Sequence, residues 1–515
     1  MSAATPQPYR SELRPGRDGF AQLLHAEWTK FRTVRGWVFG LVAAAVVTVA
    51  VGLLGPAGSS FECSGPNGQP CGDHTPPVGP GGEAVSDRFS FVHQPLSGDG
   101  SITAEVTSLT GDDAPGVEPW AKAGIILKES TKQGSAYAAM MVTGEHGVRL
   151  QHNFTGDTAG PPGAVSPGSP RWLRLTRSGD TFTGSESTDG TKWNVVGTVT
   201  LPGLPSTVEG GLFTASPEHV VTTQSFGGAG SEGGSTSATA TFDNVGLQGS
   251  WPRSAWTGDE VGGQPGGLGQ AAGFQQPGGR FTVSGSGDIV PAVAGRGSTS
   301  KTIENGLVGV FAGLIAVIVV AALFITAEYR RGLIRTTLAA SPRRGRVLAA
   351  KAVVLGAVTF VTGLIAAAVS IPLVGALERA KGLNVFPVSA LTELRVVAGA
   401  AALLAVSAIL AMAVGTMVRR SHGAVTLVIV AVVLPYVLAV ASVLPTAASQ
   451  WLLRFTPAAG FAIMQSMPEY SQVLADYTPA DGYFPLTPWA GFAVLCGYAV
   501  LALGVATFLL RRRDA

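Results

Sequence analysis

Six long apolar stretches dominate the hydrophobic pattern of this chain. A helix needs roughly 20 residues to cross the hydrocarbon core of a bilayer, which is about 30 Å thick, and each stretch is close to that length or exceeds it. None of the six contains Asp, Glu, Lys or Arg. The pattern therefore predicts six membrane-spanning helices, at Trp37–Leu54, Leu307–Ile325, Val353–Leu377, Val396–Val418, Ala424–Leu444 and Trp489–Leu510.

Between the first two stretches the pattern changes to short strand-like runs. Over residues 87–247, segments rich in β-branched and aromatic residues are separated by turn residues, which is typical of a β-sandwich or barrel. Asp189-Gly190 lies between two of these runs and predicts a hairpin turn, because glycine accepts a positive φ. Seven runs predict strands, at Ser101–Thr107, Ala121–Glu129, Ala136–Thr143, Trp172–Arg177, Thr181–Ser187, Trp193–Thr200 and Thr239–Leu247.

Together the two patterns predict a multidomain fold. We expect a six-helix α transmembrane bundle with an all-β sandwich inserted between transmembrane helices 1 and 2. Residues 248–303, which follow the predicted sandwich, are rich in glycine and proline and predict a linker. Residues 446–487, between the last two spans, are too long for a tight turn and include an apolar piece at Pro457–Met467.

Charge is scarce, and its placement predicts how the spans are oriented. Charged residues make up 13% of the chain, about half the share typical of soluble domains. Of the 35 basic residues, 18 fall on one side if the six helices alternate, and cytoplasmic loops carry such an excess. We therefore expect a multi-pass protein of the cell membrane with both termini in the cytoplasm. The 18 residues are Arg10, Arg14, Arg17, Lys30, Arg32, Arg35, Arg330, Arg331, Arg335, Arg343, Arg344, Arg346, Lys351, Arg419, Arg420, Arg511, Arg512 and Arg513.

In this orientation residues 55–303 lie outside the cell. Their 22 acidic and 13 basic residues give a mildly acidic segment, while the whole chain carries only +2, which predicts no nucleic-acid partner. An oxidising compartment favours a disulfide between Cys63 and Cys71, which lie close together in this segment. The alternative is two free thiols in a linker. Cys496, within the last span, is expected to be a small packing residue.

The tail at residues 1–36 ends in a second kind of apolar pattern. Its apolar positions recur at helical spacing and predict an amphipathic helix lying at the inner membrane interface or, alternatively, packed on its own protein. These positions are Phe20, Leu23, Leu24, Trp28, Phe31 and Val34.

Motifs for enzyme chemistry are missing from the sequence. No phosphate-binding loop of the form G-x-x-x-x-G-K-[ST] occurs, so we expect neither ATP hydrolysis nor a bound cofactor in this chain. The histidines lack metal-site spacing. Charge-free spans also disfavour an ion-coupled carrier. Four carboxylates of the β region that could suggest a hydrolase lie in glycine-containing turns, namely Asp99, Asp112, Asp113 and Asp189.

Several motifs of the β region resemble concanavalin-A-like, laminin-G-like sandwiches. They are Phe89-Ser90-Phe91, Leu96 to Ile102, Trp120 to Ile125, Trp172-Leu173-Arg174-Leu175 and Ser187-Thr188-Asp189-Gly190 with Trp193. The resemblance implies a sandwich that could bind glycan or cell wall, dock a partner or serve as structure. Residues 281–289 resemble the strand that usually opens such a domain, so we expect them to pair back as a permuted edge strand.

Three segments outside the β region resemble the permeases of the type-2 ABC exporter family. They are His25 to Lys30, Glu328 to Arg346 and Phe455 to Gly460. The resemblance implies a separate ABC ATPase subunit that binds ATP and Mg²⁺, and a dimer of permeases. It also implies that the cytoplasmic segment 328–351 docks on that ATPase, through Glu328, Tyr329, Arg330, Arg331, Leu333, Ile334, Arg335 and Leu338, and that residues 446–487 form a re-entrant or lid helix. Alternatively, these arginines only fix topology and touch lipid phosphates.

The leading interpretation is a permease that works by alternating access. The alternative is a membrane-anchored sensor or adhesion protein whose sandwich binds glycan or cell wall. The substrate stays open, because an apolar pathway suits lipids, drugs and hydrophobic peptides alike. With 27 arginines against 8 lysines, we expect a GC-rich, actinobacterial-like bacterial genome.

Overall fold

A computed structural model describes most of the chain. The described residues are 19–57, 76–112, 116–225, 228–252, 255–263, 274–295, 300–340, 343–475 and 477–512. Cys63 and Cys71 lie outside these ranges, so the predicted disulfide stays a prediction. In the described part of the chain Cys496 is a free, half-buried thiol.

Ten α-helices are found in the described ranges. They are α1 (Phe20–Thr33), α2 (Arg35–Ala57), α3 (Gly309–Arg330), α4 (Leu333–Ala340), α5 (Arg344–Ala380), α6 (Ala390–Val418), α7 (Ser421–Val428), α8 (Leu434–Val440), α9 (Thr446–Phe455) and α10 (Pro488–Arg512). Six helical stretches are long and apolar enough to cross a membrane, at Arg35–Gly55, Ile303–Arg330, Arg344–Ala380, Ala390–Val418, Ser421–Val440 and Pro488–Arg512. The number of candidate spans therefore agrees with the sequence prediction.

The fifth span differs from its prediction in shape and length. A π-helical turn, Ile429–Val433, joins α7 to α8 just before Pro435. Proline has no N–H and interrupts the regular helical hydrogen bonds, and π turns absorb such interruptions. The helix ends at Val440 rather than at the predicted Leu444, because the chain turns at Ser442, whose φ of 50° is left-handed.

Seventeen β-strands are found in the described part of the chain. They are β1 (Val85–Asp87), β2 (Phe89–Gly111), β3 (Lys122–Lys128), β4 (Tyr137–Thr143), β5 (Val148–His152), β6 (Gly156–Ala159), β7 (Arg171–Ser178), β8 (Thr181–Ser187), β9 (Asn194–Thr200), β10 (Thr207–Ala215), β11 (His219–Ser225), β12 (Gly228–Gly234), β13 (Ser237–Ser250), β14 (Thr257–Val261), β15 (Phe274–Gln275), β16 (Phe281–Ser286) and β17 (Ile289–Pro291). Each of the seven strand predictions agrees with β2, β3, β4, β7, β8, β9 or β13 to within a residue or lies inside one of them.

The long strand β2 organises the β region into two layers. Its first half pairs with β10 and β14, and its second half pairs with β13 and β7. Strands β3 to β6 extend the first layer, and β8, β9, β16 and β15 extend the second. Apolar side chains from both layers form one buried core, including Ile125, Met140, Leu173, Phe182 and Phe242.

The segment expected to pair back as an edge strand lies in the second layer. Residues Phe281–Ser286 form β16, which runs antiparallel to β13, and the two-residue strand β15 lies on its other side. The burial of β16 alternates strictly, with Phe281 and Val283 in the core. Alternating burial of this kind is expected of a strand with one face against a core.

The two ends of the β region pair with each other and are held by buried charges. β1 and β17 are antiparallel partners. Asp87 accepts a hydrogen bond of 2.8 Å from Lys128, and Asp288 pairs with Lys122, both lysines lying fully buried on β3. Burial raises the pKa of Asp87 and lowers the pKa of Lys128. Removing either partner would leave an uncompensated buried charge, so the pairs fix both chain ends to the sheet.

The β region also contacts the loop between the last two spans. The Gln472 side-chain amide donates to the carbonyl of Phe154 at 3.2 Å, and the Ala294 N–H donates to the Tyr483 hydroxyl at 3.2 Å. Ala84, Ala294, Phe386 and Tyr483 form a small apolar cluster at the same junction. Burial raises the pKa of Tyr483 well above its ordinary value, which keeps this hydroxyl protonated.

Candidate functional site

The predicted docking segment begins where α3 ends. The helix ends at Arg330, and Gly332 follows with a φ of 69°. Such a left-handed residue is the usual end of a helix, since glycine accepts it without a steric penalty. The chain therefore reverses, and α4 starts at Leu333 as a separate short helix. We call this end of the bundle, with Arg330, Arg344, Arg419 and Arg511, the basic end.

The packing of α4 divides the predicted docking residues into two groups. Ile334 and Leu338 are buried against Val347 and Leu510, with Leu23 of α1 and Tyr329 packed beside them. Glu328 is buried as well. Leu333, in contrast, is 47% exposed. The exposed members of the predicted set are Arg330, Arg331, Leu333 and Arg335.

A buried ion-pair cluster lies behind α4. The ammonium group of Lys351, 1% exposed as a side chain, is 2.7 Å from Glu27 Oε2 and 2.6 Å from Glu328 Oε1. Lys30 lies 3.0 Å from Glu27 Oε1 and donates to the Thr337 hydroxyl at 3.3 Å. The cluster thus joins α1, α3, α4 and α5, and its two ammonium groups balance its two carboxylates.

Lys30 stays charged in this setting. Burial lowers its pKa, but the carboxylates of Glu328 and Glu27 outweigh that effect, and the pKa lies above its ordinary value. Sequence reasoning missed the cluster, although Glu27 gave a signal. It lies three residues after Leu24 and four before Phe31, on the apolar face of α1, where a carboxylate needs a partner.

An open pocket of about 370 Å³ lies between the start of α2, the end of α3 and α4. Its walls combine apolar and cationic side chains in front of the ion-pair cluster. The lining residues include Val34, Trp37, Leu323, Phe324 and Leu333 on the apolar side and Lys30, Arg330, Arg331, Thr336 and Thr337 on the polar side. Three exposed members of the predicted docking set, Arg330, Arg331 and Leu333, line this pocket.

Tyr329 connects the same region to α6. The guanidinium of Arg419 lies over its ring, 5.2 Å from the ring centroid, a cation–π contact. Arg419 ends α6 with a φ of 58°, a conformation that residues other than glycine rarely adopt. The end of α6 is therefore held against the end of α3 directly beside the docking segment.

At the opposite end of the bundle, part of the segment 446–487 packs between the membrane-spanning helices. After α9, the 3-10 helix Pro457–Met464 is buried along its whole length. The ring of Phe461 stacks on Tyr436 with centroids 3.9 Å apart, and Arg395 donates to the carbonyls of Ile463 and Gln465 at 3.0 and 2.7 Å. This short helix therefore packs between α6, α8 and α10 rather than lying on the surface.

A second groove, of about 650 Å³, opens on the side of the bundle next to this short helix. Its walls come from α6, α7, α8, α9 and α10 and are almost entirely apolar. Among them, the Tyr498 hydroxyl already donates to the Phe455 carbonyl at 2.6 Å. The groove suits a hydrocarbon chain better than a polar solute, because few of its groups can hydrogen-bond a ligand.

The family model described as ABC-2 family transporter protein matches residues 180–515, more than half of the chain. This chain belongs to the ABC-2 transporter family. The match begins inside the β region and includes five of the six candidate spans. As an ABC-2 transporter, the protein is a multi-pass membrane protein and the membrane component of an ABC transporter. No curated protein matches it.

Solved structures resemble parts of this ABC-2 chain only weakly. A functionally unknown protein from Saccharomyces cerevisiae is 14% identical, with 32% of this chain and 74% of that chain covered and a TM-score of 0.20. Scytalido-glutamic peptidase with a transition-state analog inhibitor is 10% identical, with 39% of this chain and 98% of that chain covered and a TM-score of 0.26. Scores this low do not establish a common fold.

Proposed function

We propose that the chain is the permease subunit of an ABC exporter in the plasma membrane and that a separate ATPase subunit drives it. The observation that carries the proposal is the split character of α4. One side of α4 is buried through Ile334 and Leu338, while Leu333 at its start and Arg330 and Arg331, which precede it at the end of α3, are exposed beside a pocket. A helix that must receive a partner and transmit its movement needs both an exposed and an anchored side.

The anchoring explains how movement of the partner would reach the spans. α4 packs on α5 and α10 through Ile334 and Leu338. Its Thr337 also accepts a hydrogen bond from Lys30, which belongs to the ion-pair cluster of α1, α3 and α5. A shift of α4 would therefore be transmitted to these helices. The partner must bind two states of the permease with different affinity for its nucleotide cycle to shift their populations. A rigidly connected α4 is suited to such a difference, because its position changes with the spans.

The orientation follows from the basic end of the bundle. The arginines that follow α3, precede α5 and end α6 and α10 all lie there, and basic residues accumulate on the cytoplasmic side. Both termini would then be cytoplasmic, and residues 55–303, with the β region, extracellular. In this arrangement ATP and Mg²⁺ are bound by the ATPase subunit, and two permeases assemble with two ATPase subunits.

Capture of the ATPase subunit tests the proposal. Full-length, affinity-tagged protein is purified from its native membranes, and co-purified proteins are identified by mass spectrometry. The variant Arg330→Ala/Arg331→Ala/Leu333→Ala removes two charges and one apolar side chain that are exposed. We expect the amount of captured ATPase to fall at least about tenfold, because exposed side chains of this kind commonly contribute more than 1 kcal/mol each to the binding free energy of an interface.

A matched control is available at the opposite end of the bundle. Arg379→Ala/Lys381→Ala/Leu391→Ala likewise removes two basic residues and one leucine, and Leu391 is 79% exposed. It should capture as much ATPase as the unmodified protein. Undiminished capture by the α4 variant would refute docking at α4. Glycan-dependent capture without any ATPase would instead favour a sensor or adhesion protein.

A further inference from the structure

The buried pair of Asp87 and Lys128 joins the start of the β region to β3. Lys128 Nζ donates to Asp87 Oδ2 at 2.8 Å, and neither side chain is exposed. We propose that these two side chains condense to an intramolecular amide cross-link with the loss of one water. The proposal concerns the β region alone, so it depends neither on ATPase docking nor on the orientation of the spans.

The surroundings of the pair exclude water. The rings of Tyr137 and Phe154 are buried, and their centroids lie 5.7 and 5.6 Å from Lys128 Nζ. Both rings belong to a buried apolar cluster that also contains Val85 and Ile126. Because the condensation of an amine with a carboxylic acid releases water, a site without water favours the amide and protects it from hydrolysis.

Burial also brings both groups closer to the forms that react. Taking a charge out of water is costly, and burial raises the pKa of Asp87 and lowers the pKa of Lys128. Both shifts favour the transfer of one proton along the hydrogen bond, which leaves a carboxylic acid and a neutral amine. The neutral amine is the nucleophilic form of lysine, and desolvation is one way in which proteins produce it.

The reaction balances within the pair and needs no further reactant. The lone pair of Lys128 Nζ forms a bond to Asp87 Cγ, and the bond from Cγ to Oδ1 breaks. The leaving oxygen takes two of the three ammonium protons and departs as water, while the third proton stays on the amide nitrogen.

Two backbone groups hold the reacting atoms in place. The Gly134 N–H donates to Asp87 Oδ2 at 2.8 Å, the oxygen on which negative charge develops when the amine attacks Cγ. A backbone donor at this position stabilises that charge. The Ser135 carbonyl accepts a hydrogen bond from Lys128 Nζ at 3.0 Å, which fixes the direction of the amine.

The amide would tie β1 to the large sheet. β1 pairs with β17 in a separate two-stranded sheet, whereas Lys128 ends β3, a strand of the large sheet. Asp87 and Lys128 are 41 residues apart in sequence. A covalent bond between them closes this segment into a loop and reduces the conformational freedom of the unfolded chain, as a disulfide does.

The neighbouring pair of Lys122 and Asp288 provides a contrast on the same strand. Lys122 is fully buried as well, but the side chain of Asp288 is 11% exposed. Asp288 Oδ1 also accepts a hydrogen bond of 2.8 Å from the Ile289 N–H. Water therefore reaches this carboxylate, and we expect the pair to remain ionic.

Mass spectrometry of the full-length protein tests the cross-link. Protein purified in detergent is denatured and digested with trypsin and with a protease that cleaves after glutamate. We expect residues 84–88 to be recovered joined to residues 123–129, lighter by one water than the two separate peptides and uncut after Lys128. Recovery of residues 84–88 alone, together with cleavage after Lys128, would overturn the proposal because both side chains would then be free.

Two variants test which lysine forms the amide. Lys128→Arg keeps the positive charge but carries a guanidinium, which stays protonated, so its intact mass should show no loss of water. Lys122→Arg changes the other buried lysine of β3 and should keep the loss. A loss of water that persists in Lys128→Arg, or that disappears in a folded Lys122→Arg protein, would contradict the assignment to Asp87 and Lys128.

Discussion

Lys351 links three helices at the basic end of the bundle. Its ammonium group is buried between carboxylates of two other helices, Glu27 and Glu328. A buried pair of this kind contributes little net stability, but removal of one partner leaves a charge without compensation. The cluster therefore fixes which helices lie together more than how stable the bundle is.

We predict that Lys351→Met destabilises the protein and that neutral partners restore it. The single variant leaves two buried carboxylates with only the half-exposed Lys30 to balance them, and it should lose about 3–5 kcal/mol of unfolding free energy. Adding Glu27→Gln and Glu328→Gln removes both charges and should recover most of the loss. Thermal unfolding of the purified protein in detergent measures both. A triple variant no more stable than the single one would contradict the pairing.

Leu333 shows that the sequence could predict a set of docking residues but not which of them would be exposed. The predicted docking set includes Leu333, Ile334 and Leu338 alike, but the structure separates them. Residues four apart share a helix face, whereas residues five apart diverge by about 140°, so only Ile334 and Leu338 are buried together. Which side was buried depended on α1 and α10, whose positions no local pattern encodes.

Helices α2 and α3 pack closely against each other at two glycines. Gly309 and Gly313, four residues apart on α3, both lie against Thr48 of α2, and small residues at this spacing let two helices approach closely. A Cβ on Gly309 would overlap the Thr48 carbonyl oxygen, a backbone atom that cannot move aside. The two helices can approach this closely only because glycine stands at position 309.

We predict that Gly309→Ala separates α2 from α3 and destabilises the protein by about 1–3 kcal/mol, the usual range for overpacking. Gly504→Ala on α10 is the matched control, because nothing lies within 4 Å of the added Cβ. It should be neutral or slightly stabilising, since alanine favours helix more than glycine does. Melting of the two purified variants gives the comparison, and equal melting temperatures would argue against the packing.

The strands show the same limit of local patterns. The seven predicted strands lie where the structure has strands, because each is a short strand-like run bounded by turn residues. β10 was missed, although it lies centrally between β2 and β3. Its Gly210-Gly211 pair suggests a turn, but here Gly211 lets the strand approach Val92 closely. The long strand β2, shared by both layers, also exceeded the predicted run of residues 101–107.

At the scale of the whole molecule, the β region contacts the loop at residues 446–487. Gln472 contacts the carbonyl of Phe154, more than 300 residues away in sequence. The sequence predicted both parts but not this contact, because neither segment alone shows a pattern for the other. The β region is thus attached to the loop that packs into the bundle as well as to α2 and α3.

We predict that the β region is extracellular and the basic end cytoplasmic. A short epitope inserted after Gly190, in the exposed turn between β8 and β9, should bind antibody on intact spheroplasts. The same epitope placed after Arg512, at the end of α10, should bind only after permeabilisation. The opposite result would reverse the orientation and place the docking segment outside the cell, where no ATP-driven partner could reach it.

The rate of ATP hydrolysis tests the central claim most directly. The ATPase subunit captured with the protein is purified and assayed in liposomes alone, with the unmodified chain and with Arg330→Ala/Arg331→Ala/Leu333→Ala. We predict that the chain alone hydrolyses no ATP, that the unmodified chain raises the rate of its ATPase severalfold, and that the variant does not. The account would be contradicted if the rate of ATP hydrolysis did not change when this chain was added, or if the variant raised the rate as much as the unmodified chain.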